Sequence, residues 1–153
     1  MVDPHAPGDP FQAAVADARY LMRRAFRMVD DESRKLGIDP LANQLLVQLR
    51  GAPDFTRSVS ELGVRLDIPL NLASRLCGQL EGRGLVEKLP SPDDRRVTLI
   101  HATAAGIDLA AQIGNRARIR FQELQQDLPD DRRRAALMVW ANNFAVTLDG
   151  TSG

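Results

Sequence analysis

The sequence predicts a mostly α fold with a small β-wing (α+β), and three observations support this fold class. Hydrophobic residues make up 44% of the 153 residues, which suffices for the core of one domain. Along most of the chain apolar residues recur at three- and four-residue spacing, as on the buried face of a helix. Between residues 85 and 100 this spacing gives way to two short strand-like runs on either side of a polar turn.

The composition narrows the classes of protein that fit. Lys and Arg together number 20, as do Asp and Glu, so the net charge is zero, whereas a nucleic-acid-binding domain is usually basic. A single cysteine excludes an internal disulfide and a cysteine zinc site. We find no motif for a cofactor or a metal, no leader peptide and no apolar run of membrane-spanning length. We therefore expect a cytoplasmic protein without a cofactor and without membrane contact.

Two aspartate–proline pairs mark the starts of the first two helices. Residues 1–8 are small, polar and proline-rich, which predicts a disordered tail. Asp9 can cap a helix that begins at the next residue and ends near Gly37. The same pattern at Asp39 predicts a second helix over residues 40–50. The first helix is longer than a small domain needs for its own core, so we expect it to pack against a partner.

A short helix, a turn and a longer helix follow. Ser58 and Glu61 form a predicted capping box for a helix that stops near Asp67. Pro69 suits the first position of the next helix, and Gly84 suits the left-handed residue that ends it. The apolar stripe of this longer helix consists of Leu72, Ala73, Leu76, Cys77 and Leu80.

Two apolar runs after this helix predict a β-hairpin. Leu85, Val86 and Leu89 precede a proline- and aspartate-rich turn, and residues 97–100 follow it. Helix, turn, helix and hairpin in this order are typical of a winged helix-turn-helix, whose second helix enters the major groove of DNA. The same pattern is compatible with a small α+β domain that binds no nucleic acid.

Two further helices are predicted beyond the hairpin. Thr103 can cap a helix over residues 104–127, and Pro129 separates it from a last helix over residues 130–148. Together with the first long helix, they make three predicted helices outside the winged core.

A set of motifs between residues 61 and 109 is more specific than the helical pattern. Asp94 and Arg96 form an Asp-x-Arg signature in the hairpin turn, and Thr103 opens a Thr-x-x-Gly helix start. The other residues of the set are Glu61, Leu62, Arg75, Leu80, Glu81, Arg83, Gly84, Leu85, Val86, Asp93, Arg95, Val97, Leu99, Gly106 and Leu109. This set resembles the multiple-antibiotic-resistance regulator (MarR) family of bacterial transcription factors. With the flanking helices, the resemblance extends roughly from residue 10 to residue 148.

The resemblance implies how the chain is organised. Residues 38–103 correspond to the DNA-binding winged helix-turn-helix, and residues 9–37 and 104–148 correspond to the helical dimerisation lobe. It implies a homodimer that binds double-stranded DNA at an inverted repeat with half-sites about one helical turn apart. It also implies repression of transcription and, in many members, release by a small anionic aromatic effector.

The resemblance places DNA-binding residues on the second helix of the motif, predicted over residues 69–83. The residues of its first turns that avoid the apolar stripe are Leu70, Asn71, Ser74 and Arg75. Asn71 suits adenine, Arg75 suits guanine or a phosphate, and Leu70 suits thymine methyl groups. The family usually offers more Ser, Thr and Lys in this turn, so Pro69, Leu70 and Leu72 depart from its pattern.

On the wing, the resemblance implies that Arg96 enters the minor groove while Asp94 helps to hold the turn in shape. A narrow A·T-rich minor groove attracts arginine through its negative potential. Arg95 and Lys88 are expected to contact the DNA backbone. The alternative is that Arg96 only pairs with Asp94 and stabilises the hairpin.

Two sensing functions found in the family can be compared with this sequence. An effector pocket between the first and second helices would involve Phe26, Arg27 and Leu45. Family members that sense peroxide keep a reactive cysteine near the start of the first long helix. Here Cys77 lies on the apolar side of the recognition helix, so we expect a packed residue.

Other classes of function are less well supported. The sequence shows no nucleophile–base arrangement, phosphate loop or metal spacing, so we expect no catalytic activity. A winged-helix module that binds another protein instead of DNA stays open, because the net charge is zero and the recognition helix begins with apolar residues. Strong salt dependence of binding to duplex DNA would distinguish the two, because phosphate contacts release counterions.

Overall fold

The computed structural model of this protein describes the backbone of residues 6–144 and the side chains of residues 6–139. The elements in chain order are α1 (Pro10–Lys35), α2 (Pro40–Arg50), a 3-10 helix (Pro53–Phe55), β1 (Thr56–Ser58), α3 (Val59–Leu66), α4 (Leu70–Gly82), β2 (Val86–Pro90), β3 (Thr98–Ala102), α5 (Ala104–Gln126) and α6 (Asp130–Phe144). The predicted class, mostly α with a small β-wing, is confirmed. Residues 1–5 of the predicted tail and 145–148 of the predicted last helix lie outside the described residues.

The chain divides into two compact units. The second unit comprises residues 29–117, and the first comprises the described residues before and after it, so α1 and α5 contribute to both. The boundaries of these compact units lie inside the two helices, because Val29, Ala110 and Ile113 belong to the core of the second unit. The division into a DNA-binding domain over residues 38–103 and a helical dimerisation lobe stays a prediction. Across the described part of the chain, no helix combines the length and apolar character needed to span a bilayer.

The core of the second unit draws on helices and strands alike. Its completely buried large side chains are Leu45, Leu46, Leu49, Leu62, Leu80, Val86, Ile100 and Ile113. Gly106 allows α5 to start close to this core, because a Cβ at this position would overlap the carbonyl oxygen of Leu85. The hydroxyl of Thr103 accepts from the Gly106 N–H at 3.2 Å and donates to the Gly84 carbonyl at 2.7 Å. The predicted cap at Thr103 is therefore confirmed, and it also joins α5 to the end of α4.

The sheet contains one strand more than the predicted hairpin. Its order is β1-β3-β2, and both pairings are antiparallel. β1 pairs Thr56 with His101 and Ser58 with Leu99, and the Thr56 hydroxyl lies 2.9 Å from Nδ1 of His101. β1 has three residues, all half-buried, so it carries none of the apolar–polar alternation that identifies a strand in a sequence.

Local hydrogen bonds explain where the helices of the motif begin and end. The Ser58 hydroxyl accepts from the Glu61 N–H at 3.1 Å, and the Glu61 carboxylate accepts from the Ser58 N–H at 2.8 Å. At the end of α4, the N–H of Gly84 donates to Glu81 and the N–H of Leu85 donates to Leu80, which is the Schellman pattern. Gly84 has a φ of +69°, as this pattern requires. Both the capping box and the left-handed glycine are confirmed.

The predicted position of Pro69 within α4 is wrong by one residue. Pro69 has φ −60° and ψ 148°, so it is the N-cap and the helix begins at Leu70. Its carbonyl accepts from the N–H groups of Leu72 and Ala73, both at 3.0 Å. The proline ring fixes φ at a value that suits both the first helical residue and an extended N-cap. Pro69 occupies the N-cap, one position before the first residue of α4.

The first unit has a smaller core, formed by α1, α5 and α6. Ala18, Leu21 and Ala136 are buried at its centre. Asp17 accepts two hydrogen bonds from Arg132, at 2.8 and 3.0 Å, which tie α1 to α6. These bonds and the negative charge of Asp17 raise the pKa of the Arg132 guanidinium.

Candidate nucleic-acid interface

The turn between α3 and α4 is tight because one residue takes a left-handed conformation. Asp67 closes α3 with φ 52° and ψ 47°. The N–H of Ile68 donates to the carbonyl of Gly63 at 3.0 Å, and a Cβ at Gly63 would lie only 3.3 Å from the Ile68 carbonyl oxygen. This close approach fixes the direction in which α4 leaves the turn.

α4 separates a buried apolar face from an exposed face. Of the predicted stripe, Ala73, Leu76, Cys77 and Leu80 are buried and Leu72 is half-buried. The predicted DNA-binding residues of the first turns, Leu70, Asn71, Ser74 and Arg75, are all exposed. The structure thus brings these four side chains to the solvent side of one helix, and their contacts with DNA stay a prediction.

The wing is the turn that joins β2 to β3, and Asp94 holds it in place. The Asp94 carboxylate accepts from the backbone N–H of Arg96 at 2.9 Å, and the Asp94 carbonyl accepts from the N–H of Val97 at 3.0 Å. The same carboxylate lies 3.4 Å from Nε of Arg96, whose side chain is 92% exposed. Arg95 is exposed beside it. An ion pair this exposed contributes little stability, so the guanidinium of Arg96 is free to exchange Asp94 for another anion.

Lys88 differs from the other predicted backbone contacts because it already has an acidic neighbour. Its ammonium lies 3.7 Å from the carboxylate of Glu81 on α4, and its backbone N–H donates to the same carboxylate at 3.3 Å. Glu81 therefore neutralises part of the charge that Lys88 would offer to a phosphate.

Cys77 is completely buried in the core-facing side of α4. Burial raises the pKa of its thiol to about 11, and the nearby charge of Lys88 offsets only part of this effect. The expected packed residue is confirmed, and a thiol of this kind is a poor nucleophile at neutral pH.

The residues of the predicted effector pocket lie in different surroundings. Phe26 and Arg27 are exposed on α1, in the first unit. Leu45 has no exposed area and belongs to the core of the second unit. The effector pocket stays a prediction. Among the described residues, no group of three or more His, Cys, Asp or Glu side chains is placed to hold a metal ion.

Two features of the surface were not anticipated from the sequence. Val64 on α3 is 82% exposed, beside the start of α4. Arg57 donates to the backbone carbonyl of Gln48 at 3.2 Å, and Arg65 donates to the side-chain oxygen of Gln48 at 2.6 Å. The exposure of Val64 could have been predicted, because Val64 lies outside the apolar stripe of α3 that Val59, Leu62 and Leu66 form. The two hydrogen bonds to Gln48 could not have been predicted, because they join three elements that are separate in the sequence.

Comparison with known proteins agrees with this architecture. A family model described as "MarR family" matches residues 36–97. Among curated proteins, a candidate transcriptional regulatory protein for the hcr operon of Thauera aromatica is 28% identical over 97 residues. That match covers 63% of this chain and 57% of the relative, so the chain spans a little over half the length of the curated protein it matches.

Solved structures show the same fold. The apo form of MarR from E. coli superposes with a TM-score of 0.73 at 23% identity, covering 82% of this chain and 92% of MarR. A mutant of the same E. coli protein, complexed with operator DNA, gives a TM-score of 0.65 at 23% identity, covering 82% of this chain and 89% of the mutant chain. The fold is that of the winged helix-turn-helix proteins. Within that class, the match to the MarR family model extends over residues 36–97, which are 62 of the 153 residues.

Proposed function

We propose that this protein is a homodimeric repressor that binds an inverted-repeat operator through α4 and the wing. The observation that carries the proposal is the wing tip, where Asp94 fixes the backbone while the side chain of Arg96 extends into solvent. A hydrogen-bonded turn that presents an exposed cation suits insertion into the narrow minor groove of A·T-rich DNA. The exposed polar residues of α4 suit the major groove beside it.

The dimer in this proposal is supported by the surface of the first unit. Large apolar side chains that are exposed there are Phe11, Tyr20, Phe26, Ile119, Leu137 and Met138. An apolar cavity of about 250 Å³ opens among them, lined by residues of α1, α5 and α6 that include Phe26 and Leu137. Exposed apolar surface such as that around Phe26 and Leu137 typically marks a protein–protein interface. A second copy of the same unit would cover it on both subunits.

Selection of sequences from a random duplex pool, repeated at two salt concentrations, tests the proposal. We expect enrichment of an inverted repeat with half-sites about one helical turn apart, bound less tightly at the higher salt concentration. Enrichment of no sequence, together with no salt-dependent retention of DNA, would favour the winged-helix module that binds another protein.

Two arginine variants then separate the roles of helix and wing on the selected duplex. Arg96→Ala should weaken binding most on duplexes with A·T-rich flanks, and Arg75→Ala should weaken it by about 1–3 kcal/mol on duplexes that carry its preferred base. Arg116→Ala is the matched control, since it removes an exposed arginine from α5. An equal loss for Arg96→Ala on every flank would reduce Arg96 to a phosphate contact.

Release by a small anionic aromatic effector is a further part of the proposal, and it rests on the family pattern and on the exposure of Arg27. Arg27→Ala should weaken the response to such a compound, with salicylate as the probe, and leave operator affinity intact. Loss of both properties together would indicate a structural role for Arg27.

A further inference from the structure

A shallow groove lies between α3 and the first turn of α4, and the polar residues of the candidate interface do not explain its apolar lining. Its apolar wall consists of Val64, Ile68, Pro69 and Leu70, and Ser60 and Asp67 complete its rim. Val64 is 82% exposed and Leu70 is 58% exposed. The groove therefore presents two large apolar side chains to solvent at the end of α4 that is proposed to enter the major groove.

The chemistry of the lining restricts what the groove can bind. It contains no lysine or arginine, and its single charged residue is Asp67. A phosphate or another anion would therefore meet a negative charge without a cation to balance it. An uncharged apolar group meets no such penalty and gains from contact with Val64 and Leu70.

One apolar group is regularly presented in the major groove of DNA. Thymine carries a 5-methyl group there, whereas none of the other three bases carries a methyl group. Leu70 directly precedes Asn71 and lies about one helical turn before Ser74, and all three side chains are exposed. Base-edge hydrogen bonds and a methyl contact can therefore come from the same part of the helix.

We propose that the groove between Val64 and Leu70 binds the 5-methyl group of a thymine in each operator half-site. The inference rests on the proposed DNA-binding function and deepens it, because it extends the thymine contact expected of Leu70 to a groove that Leu70 shares with Val64. It also adds α3 to the base-reading surface through Val64. A half-site with another base at this position would leave the groove unfilled.

Replacement of thymine by deoxyuridine isolates the methyl group, because the two bases differ in nothing else. The duplex selected above is prepared with each thymine of the half-site replaced in turn, and the dissociation constant is measured for each duplex. Replacement of the sensitive thymine in one half-site should weaken binding about four-fold, the value of one buried methyl group, and replacement in both half-sites should weaken it about 16-fold. Replacements at other thymines should have no effect.

Two variants connect this loss to the groove. In Leu70→Ala and in Val64→Ala, the thymine duplex should bind more weakly, and the difference between thymine and deoxyuridine at the sensitive position should shrink toward none. Val47→Ala is the matched control, since it trims an exposed valine on α2 and should retain the full difference. Unfolding temperatures close to that of the wild type would show that the variants are folded.

The outcomes separate this inference from the function on which it rests. If the wild type binds its operator equally well with thymine and with deoxyuridine at every position, the groove does not read a methyl group and DNA binding stands. If both groove variants keep the full difference, the methyl group is read elsewhere on the protein and the inference is overturned. If no duplex is bound at either salt concentration, the inference and the proposed function both fail.

Discussion

Asp94 and Arg96 show how single residues prepare the wing for its proposed task. The short bond from the Arg96 N–H to Asp94 is local and sets the turn, whereas the contact between the two charged side chains is long and exposed. The first contact stabilises the wing whether DNA is present or not. The second is weak enough to be replaced by a contact with DNA.

Cys77 provides a prediction at the same scale. Burial raises the pKa of its thiol from 9.0 to about 11, so the thiolate fraction at pH 8 should be about 100-fold lower in the folded than in the unfolded protein. We expect alkylation by iodoacetamide, followed by mass spectrometry, to be at least that much slower in buffer than in concentrated urea. The contribution of the neutral thiol to the stability of the fold is fully present below the unfolded pKa of 9.0. It is lost as the pH rises through the folded pKa of about 11.

The same chemistry bears on redox sensing. Peroxide should leave operator binding by the wild type unchanged, and Cys77→Ala should behave identically in that assay. A loss of binding that peroxide causes in the wild type only would show that the thiol is reached despite its burial.

At the scale of elements, the start of α5 depends on one glycine. A Cβ at Gly106 would overlap the Leu85 carbonyl, which is backbone and cannot swing aside. Gly106→Ala should therefore lower the free energy of unfolding by about 3 kcal/mol, measured by urea denaturation. Gly114→Ala is the control in the same helix, since nothing lies within 4 Å of its Cβ position and alanine should stabilise the helix by up to about 1 kcal/mol. Equal effects of the two substitutions would contradict the proposed close contact.

The start of α3 depends on its capping box. Ser58→Ala removes an acceptor for the Glu61 N–H and should lower the free energy of unfolding by about 1 kcal/mol. Ser60→Ala, two residues further on and exposed, should have little effect. A similar loss of stability in both variants would show that the hydrogen bond of the cap is not the cause of the loss in Ser58→Ala.

The capping box also predicts a dependence on pH. The hydrogen bond from the Ser58 N–H lowers the pKa of the Glu61 carboxyl, and the charges of Arg57 and Arg65 add to this effect. A carboxyl with a lowered pKa stabilises the fold above its unfolded value of 4.5, and this contribution is lost as the pH falls through the folded value. The stability difference between the wild type and Glu61→Gln should therefore be present at pH 7 and vanish in acid. A difference that persists below pH 3 would have another cause.

At the scale of the whole molecule, the proposed dimer should show in solution. Sedimentation equilibrium should give twice the chain mass of 16.9 kDa. Met138→Glu places a charge on the exposed apolar surface of the first unit and should shift the equilibrium to monomers, with a parallel loss of operator affinity. Val47→Glu, which charges an exposed residue of the second unit, should stay dimeric. A dimeric Met138→Glu protein would place the interface elsewhere.

The sequence by itself determined most helix starts and ends. Asp39 caps α2 and accepts from Leu41 at 2.8 Å, and the capping box and the left-handed Gly84 are where the sequence predicts them. These signals lie within a few residues of each other, so each can be recognised before the fold is known. The exposed positions of α4 could be predicted because an apolar stripe also defines the face opposite to it.

Only the tertiary structure decided which distant segments meet. β1 exists because Thr56 pairs with His101, 45 residues away, and no local pattern records that pairing. The boundary between the two units depends on where α1 and α5 pack, and the groove beside Leu70 depends on the angle at which α4 leaves its turn. Such contacts depend on the complementary shape and the burial of distant segments. A short stretch of sequence is compatible with many partners, and only the packed core determines which of them it contacts.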